Sequence, residues 1–377
     1  MSKTLQDYAT LINDTIQSNE INHYITTDNM CQNLGGIDIF KNINIPQGKV
    51  RSFQKDDVLL SNIRLYFRKV YRAKQKGGCS SDVLVFRAKH IDSATLFAIL
   101  SSQIFTDYAC SGSQGSKMPR GNKTHMMDFK IPTINFTIAK IFNSIQNKIE
   151  NNHKINELLH KILELLYEQY FVRFDFLDEN NKPYQTSGGK MKFSKELNRL
   201  IPSGWSVRFL NHKIVSTYQP KTISKTLLND SYSYSVYGGG GIIGRFTEYN
   251  HEQSEFIISC RGQCGISYLT LPKSWITGNA MVIRPTKSYT SKTYLYHTIK
   301  KYKLTNYITG SVQPQITRQN LSTMPILIPK RKTLNKWNNI SNLLWNLIHN
   351  NMQATQTLTA LRDFLLPLLL KQQVKPQ

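Results

Sequence analysis

The amino-acid sequence repeats itself. Asp57-Val58-Leu59-Leu60-Ser61 returns as Glu255-Phe256-Ile257-Ile258-Ser259, 198 residues further on. Gly112-Ser113, followed by Arg120 and Asn122, returns as Gly310-Ser311, Arg318 and Asn320 at the same offset. Val85-Phe86-Arg87 matches Val282-Ile283-Arg284, and Ile131-Pro132 matches Ile328-Pro329, both at 197. Four matches in one order, within a residue of one offset, are hard to obtain by chance. The chain is a tandem duplication, so its fold must be built twice. At 377 residues it is also too long for one ordinary core.

Each copy has one plan. A mixed part comes first, with short β-rich runs at 57–63, 82–86, 255–259 and 280–283 between clusters of Gly, Ser, Asn and Pro. A helical part comes next. In the first copy Ile138, Ile145, Leu159 and Leu166 fall seven or fourteen apart, with Ile141, Ile155 and Ile162 on a matching set. In the second, Trp337, Leu344, Leu358 and Leu365 do the same, partnered by Ile340, Leu347 and Leu361. Such spacing makes one apolar seam, and it predicts two long helices that bury their seams on each other. Asn152 and Asn351 occupy the missing seam position in each helix, 199 residues apart, where a buried Asn sets register. Two alternatives stay open: helices lying separately on their own domains, and solvated asparagines where the helices splay. Pro367 predicts an end or a kink in the second helix.

The expected fold class is α+β, with two tandem-repeated globular domains joined by two long antiparallel coiled-coil helices. The first domain covers residues 1–137, a central spacer helix 138–176, a linker 177–203, the second domain 204–331 and a distal spacer helix 332–372. The segment 178–204, polar and turn-rich around Gly188-Gly189, reads as a loop plus a short helix. A helix from residue 138 to 170 would be about 50 Å long, a spacer holding two heads apart.

Several chemistries find no support. The longest apolar stretch, 364–370, is far short of the about 20 residues a bilayer requires, and residues 1–20 hold no apolar signal-peptide core. Cys31, Cys79, Cys110, Cys260 and Cys264 form an odd, scattered set that suits free thiols in a reducing compartment, so a cytoplasmic location is expected. No second pair completes a zinc site with Cys260 and Cys264, and no metal centre is expected. His153 and His160 read as surface positions on the predicted helix. Gly239-Gly240-Gly241-Ile242-Ile243-Gly244 satisfies G-x-G-x-x-G, but the next residues, Arg245-Phe246-Thr247-Glu248-Tyr249, open no helix and belong to no evident βαβ unit. It reads as a flexible loop carrying Arg245 near phosphates. Asp107, Asp128 and Lys130 echo a metal-nuclease spacing, yet the second copy has Pro325 and Leu327 in the matching places. The chain is expected to catalyse nothing by itself.

The charge points to a polyanion. There are 48 Lys and Arg against 24 Asp and Glu, a formal charge of +24, and the pI is about 9.7. Basic residues gather at Arg64, Arg68, Lys69, Arg72, Lys74 and Lys76, then at Lys117, Arg120 and Lys123. The second copy supplies Arg245, Arg261, Lys273 and Arg318. Such side chains neutralise phosphates. Polar neighbours suited to base edges are Asn62, Gln114 and Asn122 in one copy, and Gln263, Gln313, Gln315 and Gln319 in the other. Taken singly, each is more readily a solvated surface residue; as a set they favour DNA.

Phe171-Val172-Arg173-Phe174-Asp175-Phe176, Asp178-Glu179-Asn180, Lys182-Pro183-Tyr184 and Ser187-Gly188-Gly189-Lys190-Met191 resemble the central region of type I restriction–modification specificity subunits. Leu200-Ile201-Pro202-Ser203-Gly204-Trp205 looks like the opening of that family's second target-recognition domain, and Tyr237-Gly238-Gly239, Ile258-Ser259-Cys260-Arg261-Gly262 and Gln315-Ile316-Thr317 look like its recurring segments. The resemblance covers essentially the whole chain. Lys330-Arg331-Lys332 departs from it, standing where family members often place a Pro-rich stretch. The resemblance implies two target-recognition domains, each reading one half of a bipartite site on double-stranded DNA. It implies helices that set the gap and bind two modification subunits, which carry S-adenosylmethionine and methylate adenine, with no cofactor on this chain. Restriction subunits would join to translocate and cleave. The alternatives are a nucleic-acid-binding scaffold without bipartite specificity, and a stand-alone methyltransferase or nuclease.

Overall fold

The computed structural model describes residues 3–38, 43–131, 134–229, 232–262, 264–310 and 313–369. It divides into two compact units, Met1–Ile155 with Asn351–Gln377, and Asn156–Asn350. Each long helix therefore begins in one unit and ends in the other.

The duplication seen in the sequence is a duplicated sheet. In the first unit the strand order is Ala9–Ile12, Val83–Ala88, Val58–Ser61, Val70–Arg72; in the second it is Val215–Tyr218, Ala280–Pro285, Phe256–Ser259, Ser267–Leu269. Register repeats as well. Leu59 pairs with Val85 and Tyr71, and Ile257 pairs with Val282 and Tyr268. The central strands read as unbroken apolar runs because both faces are covered. Val58, Leu60, Leu84 and Phe86 point to helices Ser93–Leu100 and Gln103–Ser111. The alternate residues Leu59, Val83 and Val85 meet Ile25, Phe53 and Cys79 of a second four-stranded sheet. In the second unit Ile257 and Val282 meet Tyr237 and Ile276 of a three-stranded sheet, while Phe256 packs edge-on to Tyr296 of helix Lys292–Lys300 at 5.9 Å.

One ion pair is built twice. Arg87 grips Asp57 with two hydrogen bonds of 2.8 Å, and Arg284 donates twice to Oε1 of Glu255, at 3.0 and 2.6 Å. Both carboxylates are buried and hold the start of a central strand.

The first long helix runs Phe136–Tyr167 and ends in a π-helical turn, Glu168–Val172. The second runs Arg331–Leu365 and tightens into a 3-10 turn over Leu366–Leu369, where Pro367 removes a donor. The helices pair antiparallel within each unit. In the first, Asn152 Nδ2 donates to Thr355 Oγ1 at 3.1 Å and Arg362 to Gln146 Oε1 at 3.2 Å. In the second, Asn156 Nδ2 donates to the Ile348 carbonyl at 3.3 Å, and His160 meets Trp345 edge-on at 5.0 Å.

The seam differs from the sequence expectation. Ile145 and Asn152 are buried, but Leu159, Leu166, Leu344, Asn351, Leu358 and Leu365 are half-buried flanks, and Ile141, Ile155, Ile162, Ile340, Leu347 and Leu361 are exposed. The buried line is Phe142, Ile149 and Leu163 on one helix, and Leu334, Ser341, Ile348, Thr355 and Arg362 on the other. Each helix also packs on its unit's globular part: Phe142 meets Phe97 at 5.5 Å and Trp345 meets Tyr296 at 5.4 Å. That second contact turns part of the apolar surface outward. His160, expected at the surface, is half-buried against Trp345.

Two local expectations are corrected. The linker forms a β-hairpin, Met191–Ser194 with Arg199–Pro202, rather than a short helix, closed by Asn198 in the left-handed region that Asn tolerates. The glycine run is a hairpin too, Tyr234–Gly238 with Gly241–Phe246, whose register shifts at Val236/Tyr237.

Candidate nucleic-acid interface

In both units the chain leaving the central strand lies beside a later hairpin, and together they make one exposed edge. In the first unit residues 62–68 leave the strand. The Asn62 carbonyl accepts from Gly121 N at 3.1 Å, and Arg64 N donates to the Pro119 carbonyl at 2.9 Å. The hairpin closes between Gln114 and Arg120 through reciprocal backbone bonds of 2.9 and 2.8 Å, and Arg64 Nη2 reaches the Lys117 carbonyl at 3.3 Å. In the second unit Ile316 N donates to the Cys260 carbonyl at 3.0 Å, and Arg261 bridges Gln315. The hairpin there is Ile308–Thr309 with Gln315–Ile316.

Two left-handed positions recur in the turn. Arg64 (φ 50°) and Arg68 (φ 49°) take the left-handed region where the second copy has Gly262 (φ 74°) and Gly265 (φ 90°). Their offsets are 198 and 197, so the first copy's turn is one residue longer than the second's. Left-handed arginines are uncommon, and such strain concentrates at functional sites.

The predicted residues separate into two groups. Arg261, Gln313 and Gln315 are exposed and, with Gly262 and Pro314, line a cavity of about 450 Å³; Arg318 and Gln319 are exposed in the first turn of the helix Arg318–Leu321. Gln114, Lys117 and Lys123 are exposed on the first unit's edge, as is Arg120, which pairs with Asp82 at 3.0 Å. Asn122 is exposed and caps the helix Lys123–Met127 through Oδ1, 3.2 Å from His125 N.

Most of the others are turned toward the protein itself. Asn62 is 9% exposed and interior, not a surface reader. Arg68 is half-buried, donates to the Ser101 carbonyl at 2.9 Å, and burial pulls its guanidinium below its usual range. Lys69 donates to the Thr27 carbonyl at 2.5 Å, and Arg72 stands 3.8 Å from Asp56. Lys74 reaches Asn147 at 2.6 Å and Glu150 at 3.3 Å on the long helix, whereas Lys76 is exposed. Arg245, expected on a free loop, turns back to the carbonyls of Tyr232 and Ser233. Lys273 pairs loosely with Glu252 at 4.0 Å. Gln263 lies outside the described residues.

Two exposed apolar side chains on the first unit's edge escaped the sequence reading, Tyr66 at 52% and Met118 at 53% exposure. The signal was present in Arg64-Leu65-Tyr66-Phe67-Arg68, an aromatic pair between cations. Among the described residues no group of three or more His, Cys, Asp or Glu is arranged to hold a metal ion, and no helix is long and apolar enough to cross a membrane.

Residues 202–355 match the family model described as the type I restriction modification DNA specificity domain. A curated relative, the type I restriction enzyme MjaIX specificity subunit of Methanocaldococcus jannaschii, is 22% identical over 312 residues, 73% of this chain and 67% of that protein. The fold is that of the type I restriction–modification system S subunit crystallised from M. genitalium, with a TM-score of 0.64 at 15% identity, covering 99% of this chain and 96% of that one. Residues 202–355 therefore carry a type I restriction modification DNA specificity domain, on a fold shared with that S subunit.

Proposed function

We propose that each unit reads one half of a bipartite target on double-stranded DNA. The observation that supports this reading best is the exposed edge, which recurs at one place on one sheet with Arg and Gln side chains exposed on it. Arginine and glutamine match guanine and adenine in the major groove, and a net charge of +24 provides the phosphate affinity beneath that selectivity. The long helices, 32 and 35 residues, are about 48 and 52 Å long and set the gap between half-sites.

Two modification subunits dock on those helices. Support comes from the apolar side chains the helices leave in solvent: Leu158, Ile162 and Leu165 with Leu343 in one unit, and Ile141 and Phe364 in the other. The partners carry S-adenosylmethionine and methylate adenine, restriction subunits complete the complex, and this chain contributes recognition without a catalytic group. The assembly works in the cytoplasm.

The test is to co-express the chain with its modification subunit in a methylation-free host and sequence the DNA for modified adenines. A split motif that needs both genes is expected. Unmodified DNA, with both proteins soluble and associated, would overturn the reading.

A further inference from the structure

The two exposed edges share their place on the sheet but not a chemistry. Between its left-handed positions the second copy has Gln263 and Cys264, whereas the first has Leu65-Tyr66-Phe67, wound into a 3-10 turn. Leu65 is buried and anchors the turn from below; a Cβ on Gly121 would lie 2.8 Å from its Cδ1. Phe67 braces the Tyr66 ring edge-on at 4.6 Å. Tyr66 is left half in solvent, and the bond from Arg64 N to the Pro119 carbonyl seats its turn beside the hairpin tip carrying Met118. Cations flank this apolar pair: Arg64, whose guanidinium reaches the Lys117 carbonyl, then Lys117 and Arg120. A large aromatic and a methionine exposed on two segments that are bonded together offer apolar surface for a partner to cover. Cations that neutralise phosphates beside apolar side chains that meet unstacked base surface are the combination that proteins use to wedge a base step.

We infer that Tyr66, backed by Met118, is a specificity-determining residue that makes an apolar stacking contact with DNA at a base step of the half-site read by the first unit. The second unit reads its half-site through the polar set at Arg261, Gln313 and Gln315. The two halves of one target are then read by different physics: base-step stacking and deformability in one, hydrogen bonds in the other. This rests on the proposed reading of a bipartite DNA target.

The experiment uses the full complex with its modification subunits and duplexes in which each position of the target is substituted in turn. Tyr66→Ala is expected to weaken binding about ten- to a hundred-fold and to flatten discrimination in one half-site only. Tyr66→Phe keeps the ring and should behave as the wild type; Met118→Ala should be intermediate. 2-Aminopurine at the contacted step should brighten on binding the wild type and not on binding Tyr66→Ala. Arg261→Ala marks the other half-site, whose discrimination Tyr66→Ala should leave intact. Unchanged discrimination in Tyr66→Ala, or a loss matched by Tyr66→Phe, overturns the stacking contact while leaving the bipartite reading in place. A wild-type complex that binds every duplex alike overturns both.

Discussion

Asp57 and Glu255 are carboxylates buried at the head of a central strand, and each is neutralised from the paired strand by an arginine. Removing the cation leaves a charge with little water, so Arg87→Met is expected to cost about 1–3 kcal/mol, read as a lower urea midpoint at unchanged m. The second unit holds a different liability in His297 and His349. Burial pushes the first down to about 3 and the second to about 4, with Lys300 adding to the shift at His297 and Lys292 at His349; both rings have an Nε2 without a partner among the described residues. Both are neutral when folded and bind protons more readily when unfolded. Stability is therefore complete above the unfolded value near 6.5 and is lost as pH falls toward 4, by up to about 1.4 kcal/mol per pH unit for each ring. His297→Phe, which keeps the stack on Tyr167 at 5.5 Å, should flatten the dependence of the urea midpoint between pH 7.5 and 5. At this scale the sequence showed which cations exist but not where they point. Lys74 meets Asn147 and Glu150, more than seventy residues away in the chain, and no local pattern announces such a contact.

The long helices were legible as elements and mislocated as a seam. Heptad spacing reports which residues share a face, and it placed both helices, while Pro367 itself marked the break in the second. It cannot report how a helix divides its apolar surface between a partner helix, a globular core and solvent. Adjacent residues now separate those roles. Leu163 is fully buried, and Leu163→Ala should cost about 2–5 kcal/mol of stability. Ile162 is 44% exposed, so Ile162→Asp should leave the melting temperature within a few degrees and weaken co-purification of the modification subunit. Retention of the partner would remove this face as its docking site. The segment 178–204, expected as a loop plus a short helix, instead holds the hairpin Met191–Ser194 with Arg199–Pro202; strands of four residues are too short for sequence spacing to separate the two periods, and a left-handed Asn198 closes the turn.

For the molecule as a whole, the proposed ruler predicts a length. One heptad added to each helix lengthens it by about 10 Å, close to three base pairs of B-DNA, so the methylated motif should keep both half-sites and widen its gap by about that amount. An unchanged gap in the methylome of the lengthened protein would remove the spacer role. The duplication was in the sequence alone, because strands that sit in one register inside one core need the same residues, and those residues recur at a fixed offset. A buried strand leaves little freedom. The chemistry of each exposed edge was left to the tertiary structure. Exposed loop residues are under no packing constraint, so only the folded backbone shows that Asn62 is interior, that Arg245 is tied to carbonyls, and that Tyr66 stands in water on a turn bonded to the hairpin that carries Met118.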